Sequence, residues 1–434
     1  MFSYLARTLW GDISREELKK FGLLSGVFFF IIGTYWLVRS LKEVIFANVV
    51  GKLYLPYAKI GSLICLVFVL MFYSKLVDWL EKYRLIYVLS AVFGTFFAFI
   101  AFLTMHPSIG LANTITDKYR IFGWITYIGI ECLGSLMPAL FWAFMNSSMD
   151  TAEAKRGYPI ILAGAQAGSV LGAYLVMNAT TFGIGLLFAI GSASIFLVPL
   201  MIKWFITNHP DALTKHKNEP QLPATGIFEG LRLLLSKSYL IGILAVSTLY
   251  EVIGEIINLQ MKFAAVDTYP DPEKFAEFMG FFGVCVNLLS LVFAIVGTSF
   301  VIRRFGFTFC LVAYPVTIGL VICMVWLNPS LWVFLGGMVA LKGLSYALNN
   351  PCKEIMYIPT SKDIKFKAKG WMEGFGGRSA KGTGASIFAA FAGKVHMSLY
   401  TSLISLGIVG VWIAAALFVG RTNERLVADK KIIS

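Results

Sequence analysis

Runs of about 20 apolar residues recur along this chain, each long enough for an α-helix to cross a ~30 Å hydrocarbon core. They fall near 21–41, 56–77, 85–105, 121–145, 158–178, 182–202, 239–262, 276–300, 307–327, 331–349, 371–393 and 398–420. Inside a bilayer no water is at hand for backbone N–H and C=O groups, so such runs must fold as helices that satisfy themselves. The composition agrees, with 58% of the 434 residues hydrophobic and only 14% charged, where a soluble domain carries about a quarter charged residues. The sequence predicts an all-α membrane protein with twelve transmembrane helices. The first run, from Phe21, follows Arg15, Lys19 and Lys20. No small-residue cleavage site trails it, so it reads as a retained helix and not a signal peptide.

Charge sorts the loops. With the N-terminus assigned to the cytoplasm, one side collects Lys19/Lys20, Lys75/Lys82/Arg84, Lys155/Arg156, Lys215/Lys217/Arg232/Lys237, Arg303/Arg304, Lys362 to Lys369 and Arg421 to Lys431. The other side holds only scattered cations such as Lys52, Lys118, Arg120, Lys274 and Lys394. Cytoplasmic loops carry the excess of Lys and Arg, so both termini are expected there. The longest polar connection, 207–238, divides the spans six and six, giving an N-terminal half (1–206), a cytoplasmic linker (207–238) and a C-terminal half (239–434). Two six-helix halves with midplane sites describe a major-facilitator-like transporter. The net charge of +13 suits this topology and would also suit an anionic substrate.

A weak internal repeat crosses the linker: Gly157, Tyr158, Gly164 and Gly168 match Gly370, Trp371, Gly377 and Lys381, each pair 213 positions apart (370 − 157). On a continuous helix Gly370, Gly374, Gly377, Lys381 and Gly384 share one face, and glycines on such a face let neighbouring helices approach closely. GGRSAKGTGAS superficially resembles a phosphate loop, but the Gly-Lys-Ser/Thr order and the preceding strand are absent, which excludes an ATPase of that kind. The six cysteines show no CxxC spacing and the four histidines lie in or near loops. Neither a metal site nor a cofactor is indicated.

Ionisable residues inside lipid are costly and mark function by default. Glu131 stands eleven residues after Arg120, near mid-membrane, as a substrate, proton or gate partner or as half of a structural ion pair. Lys381 lies about 18 Å of helix beyond Lys369, with Arg378 one turn before it. Their alternative is a packing pair with Glu373 or Glu131. Tyr35, Arg39, Lys42 and Phe46 form an aromatic and cationic stripe, although Lys42, about 33 Å along from Lys20, is also placed to snorkel at the outer interface. Glu251 and Glu255 share a face of the seventh span, and Lys262 ends it near the interface.

Several blocks together resemble the ATP/ADP translocase (nucleotide transporter) family of plastids and obligate intracellular bacteria: RSLKE (39–43), LPYAKIGSL (55–63), FWAFMNSSMDTAEAKRGYP (141–159), NPCKEIMYIP (350–359) and AKGTGAS (380–386). The resemblance implies nucleotide exchange or import by alternating access, without hydrolysis. It carries the family's charged functional positions onto Lys42, Glu131 and Lys381, and its seventh-span glutamate onto Asn258, with Glu255 one turn earlier as a substitute. Asn350 likewise stands where the family has Asp.

The expected substrate-binding set is thus Lys42, Glu131, Lys381, Arg378, Arg39, Glu255 and Asn258 in a central basic cavity. The cations would take the phosphates of a nucleotide di- or triphosphate, with Tyr35, Phe46 or Trp371 stacking on the base. Glu131 and Glu255 would pair with the cations when the cavity is empty. The expected partners are that nucleotide and the bilayer, with no nucleic acid, and the chain is expected to act as a monomer in a bacterial inner membrane or plastid-type envelope. ATP/ADP exchange leads. Proton-coupled net import of other nucleotides or NAD, and a non-transporting scaffold or lipid scramblase, stand as alternatives. A membrane-embedded transferase would need a convergent acid/base or metal set, which the spans lack.

Overall fold

The computed structural model describes residues 14–210, 227–296 and 304–433. Residues 211–226 of the expected linker, and 297–303 with the end of the eighth expected span and Arg303, lie outside the described residues. Among the described residues there is no strand, only an isolated bridge between Thr360 and Ile433.

The first helices are α1 (Arg15–Phe46), α2 (Leu55–Trp79), α3 (Lys82–Thr104), α4 (Ile121–Ser148), α5 (Thr151–Met177) and α6 (Ile184–Asn208). A short amphipathic helix α7 (Ile227–Ser236) leads into α8 (Ser238–Thr268), α9 (Pro272–Val296), α10 (Phe307–Leu327) and α11 (Leu331–Leu344). The last are α12 (Asn350–Met356), α13 (Lys362–Trp371), α14 (Gly377–Phe391) and α15 (Met397–Ala428). Three single π turns interrupt this order, at Ala47–Gly51, Ser345–Asn349 and Met372–Gly376.

Among the described residues nine segments are long and apolar enough to cross a membrane. The first, Arg15–Tyr73, joins the first two expected spans in one helical stretch. Two of the twelve expected spans fall short of that standard. The run at 331–349 becomes a 14-residue helix broken by a π turn, and the run at 371–393 is glycine-rich and entered through another.

The chain separates into two compact units. The first comprises Met1–Gly51, Ile64–Gln221 and Tyr269–Asn287. Its spine is α1 against α5, and glycine makes that packing possible. A Cβ on Gly168 would lie 2.3 Å from the Phe29 carbonyl oxygen, and one on Gly172 would lie 2.2 Å from that of Gly33. The same pair of helices is pinned at one end by charge. Ser14 caps α1 reciprocally with Glu17, Lys20 meets Glu153 at 3.0 Å, and Arg156 meets Glu17.

The second unit comprises Lys52–Leu63, Leu222–Thr268 and Leu288–Ser434. Here α8 packs against α11, α14 and α15. Its aromatic core gathers Tyr250, Tyr314 and the fully buried Trp412, and the Tyr314 hydroxyl donates to the Leu341 carbonyl at 3.0 Å. Lys52 pairs with Asp267 at the end of α8.

Candidate substrate site

In the first unit Lys42 is only 2% exposed. Its ammonium group donates to Glu43 at 3.1 Å and to Glu131, and it stands 4.1 Å from the centre of the Tyr127 ring. A lysine held by two carboxylates and an aromatic face is not snorkelling, so that alternative falls. Arg39, one turn earlier, turns elsewhere, its guanidinium 4.8 Å from the Trp36 ring and 5.7 Å from that of Tyr35. Phe46 is fully buried, edge-on to Trp124 and Tyr127. It is therefore core and does not present a face to a base.

In the second unit the charges surround a cavity of about 390 Å³. Lys381 reaches in from α14, Arg378 stands one turn before it, Lys353 comes from α12, and Glu251 comes from α8. The Lys381 ammonium lies 3.7 Å from Glu251, whose side chain is 12% exposed against 34% for Lys381. The Tyr250 hydroxyl donates to the same Glu251 carboxylate, and the Tyr250 ring carries the Lys353 ammonium 4.0 Å from its centre. Lys342 adds to the positive field on Glu251. At the rim Lys369 is held by both oxygens of Glu354, at 2.7 and 2.8 Å.

The two copies of the weak repeat differ at this point. Gly164 and Gly168 of α5 lie against α1, and the equivalent positions Gly377 and Lys381 face α8 from α14. The first unit leaves no space for a Cβ at Gly168. At the matching position the second unit accommodates a lysine, and the cavity opens there.

The glycine stripe needs correction. Gly377, Lys381 and Gly384 share the face toward α8, with a Cβ on Gly384 only 2.5 Å from the Val252 carbonyl oxygen. Gly370 and Gly374 meet nothing within 4 Å. The cause is the π turn at Met372–Gly376, which inserts a residue and changes the phase of the helix. Trp371 belongs to the earlier phase, and its Cβ lies where a side chain on Gly230 of α7 would go.

The seventh span departs from expectation too. Lys262, read as the end of that span, is 4% exposed and packed within the second unit. Glu255 is buried and accepts from Asn258 at 3.4 Å, so it is Glu251, one turn earlier, that meets Lys381. Glu251 and Lys353 are the site residues that sequence reasoning left out. One signal was available, since Glu251 precedes Asn258 by seven residues, two helical turns on one face.

The segment bearing Lys353 is rigidly held. Pro351 opens α12, the Tyr239 hydroxyl donates to the Met356 carbonyl at 2.7 Å, and Asn423 donates to Tyr239 at 2.8 Å and to the Ile355 carbonyl at 3.3 Å. The tail closes over it, with Ile433 N–H donating to the Pro359 carbonyl at 2.9 Å.

Solved transporters share this fold. A bacterial homologue of the iron transporter ferroportin, in its inward-facing state, matches with a TM-score of 0.63 at 13% identity, covering 94% of this chain and 99% of that one. The nucleoside transporter NupG matches with a TM-score of 0.59 at 14% identity, covering 93% and 99%. The all-α, major-facilitator-like fold class therefore holds. Among sequences, ADP,ATP carrier protein 1 of Rickettsia prowazekii is 25% identical over 98% of this chain and 97% of its own length. The chloroplastic ADP,ATP carrier protein 2 of Arabidopsis thaliana is 24% identical over 92% of this chain and 74% of its own. The family described as TLC ATP/ADP transporter matches residues 1–328 and 320–422. With nearly every residue covered and the charged blocks in order, the chain belongs to the TLC ATP/ADP transporter family.

Proposed function

We propose that this multi-pass membrane protein exchanges ATP for ADP by alternating access, without hydrolysing either. The observation that carries the reading is the convergence of Lys381, Arg378 and Lys353 on one cavity within a membrane-embedded helical unit. A nucleotide di- or triphosphate brings about three to four negative charges, and few other ligands justify placing so many cations in lipid. The cations bind phosphate oxygens by charge-assisted hydrogen bonds, and the Lys42–Glu131 pair of the first unit opens and closes with transport. The site residues in this reading are Lys42, Glu131, Arg39, Arg378 and Lys381, with Glu255 and Asn258 supporting α8 one to two turns from Glu251. The halves 1–206 and 239–434 act as the moving bodies, the chain works as a monomer, and both termini face the cytoplasm of an intracellular bacterium or its plastid equivalent.

A second reading is net import coupled to protons, and one observation favours it. Asn258 stands where the family has a glutamate and engages Glu255 instead of a cation.

Proteoliposomes decide between them. Uptake of labelled ATP and ADP only into nucleotide-loaded vesicles, abolished by Lys381→Ala, is the expected result. Uptake into empty vesicles under a proton gradient supports import. No uptake of any nucleotide in either condition overturns both readings.

A further inference from the structure

The cavity of the second unit is lined by four cations and two carboxylates, namely Lys353, Lys369, Arg378 and Lys381 against Glu251 and Glu354. Lys369 and Glu354 are engaged with each other. Among the described lining residues, Glu251 is the carboxylate that meets Lys381 and Lys353. Its electrostatic partners Lys381, Lys342 and Lys353 arrive from three different elements, α14, α11 and α12. Glu255, by contrast, packs where α14 comes closest, its Cβ 3.1 Å from where one on Gly384 would stand.

We infer that Glu251 is the internal counter-anion of this cavity: it holds the lysines while no substrate is bound, yields them to incoming phosphate, and reclaims them to expel it. This deepens the nucleotide-carrier reading and rests on it. Three features argue for a displaceable partner and against a permanent strut. The contact to Lys381 is long, at 3.7 Å, where a charge-assisted bond to a phosphate oxygen closes to about 2.7–2.9 Å. The lysine is a third exposed to the cavity while the carboxylate is recessed, so an anion can approach the one without dislodging the other. The Tyr250 hydroxyl stays with Glu251 and satisfies it when the lysines leave. A carboxylate so placed acts on substrate through the lysines it positions, and it competes with every phosphate that enters.

The competition has a kinetic signature that a structural role lacks. Removing the competing charge tightens binding and slows release, so Glu251→Gln is expected to lower both KM for nucleotide and maximal exchange rate, each by about three- to tenfold. Glu251→Asp keeps the charge but draws it back, and should fall between wild type and E251Q in both. The experiment measures exchange kinetics in nucleotide-loaded proteoliposomes for wild type, E251Q and E251D. ATP-dependent shifts in thermal unfolding of the same purified proteins read binding independently of turnover. Wild-type exchange with an E251Q KM that is unchanged or raised overturns the inference alone. A wild type that transports no nucleotide overturns the carrier reading, and this inference with it. Should E251Q not reach the membrane, E251D carries the test, and an unchanged or raised KM there has the same force.

Discussion

Lys42 and Glu131, 89 positions apart in the chain, meet as an ion pair inside the first unit, and Glu43 closes on the same ammonium group at 3.1 Å. Lys42 thus bridges two carboxylates. Lys42→Met removes the cation that bridges both acids, and breaking a buried pair in this way costs about 3–5 kcal/mol. Glu131→Gln leaves Lys42 with Glu43, and Glu131 is itself 23% exposed, so its cost should be less than half as large. Thermal unfolding of the two purified variants checks this order, and both should lose exchange.

Lys353 and Lys369 both line the cavity, yet only Lys353 reaches Glu251 electrostatically. A hydrogen bond to a charged group is worth about 1.5–3 kcal/mol, roughly ten- to a hundredfold in affinity. Lys353→Gln should therefore raise KM by at least about tenfold. Lys369→Gln, which gives up a contact to the largely exposed Glu354, should change KM by less than about threefold. Equal effects would mean that the two lysines share one role.

Arg120 organises the loop ahead of α4. Its guanidinium donates to the carbonyls of Ile109, Gly110, Asn113 and Ile115, at 2.7 to 3.0 Å. Burial pulls its pKa below the ordinary arginine value, opposed by Asp117, but an arginine stays charged at neutral pH. A lysine has neither the planar fork nor enough donors in the right directions. Arg120→Lys should thus behave nearly as badly as Arg120→Ala, with residues 105–120 opened to limited proteolysis while KM stays within about twofold.

The α1–α5 contact should resist any added methyl. Gly172→Ala drives a Cβ into the Gly33 carbonyl, and overpacking of this kind costs about 1–3 kcal/mol or more. Gly407→Ala on α15, where nothing lies within 4 Å, should be neutral or slightly stabilising, because alanine is the better helix former. Thermal unfolding of the pair separates backbone contact from glycine content.

Much of this molecule is written in hydropathy and charge. The long helices follow the apolar runs because lipid leaves the backbone no alternative. Lys42, Glu131, Arg378 and Lys381 stand out because a charge in such a run demands a partner. The partners are another matter. Glu251 and Glu255 are four residues apart on one face, and only tertiary packing decides that the first meets Lys381 while the second lies under Gly384. Lys353 reads as a loop charge until α12 is seen held by Tyr239 and Asn423 at the carbonyls of Met356 and Ile355. Counting along the helix places Lys262 near its end but says nothing about the packing that buries it. The glycine stripe is half right for the same reason: no residue type announces a π turn.

The turn at Met372–Gly376 spends one residue more than an α-helix would over the same rise. Replacing a residue there leaves the register alone, whereas deleting one would swing every later side chain by about 100° and carry Lys381 away from Glu251. Chain length in this short stretch is therefore part of the site's specification. Among descendants of this gene, neighbouring positions can drift in identity far more freely than the number of codons between Gly370 and Gly377 can change.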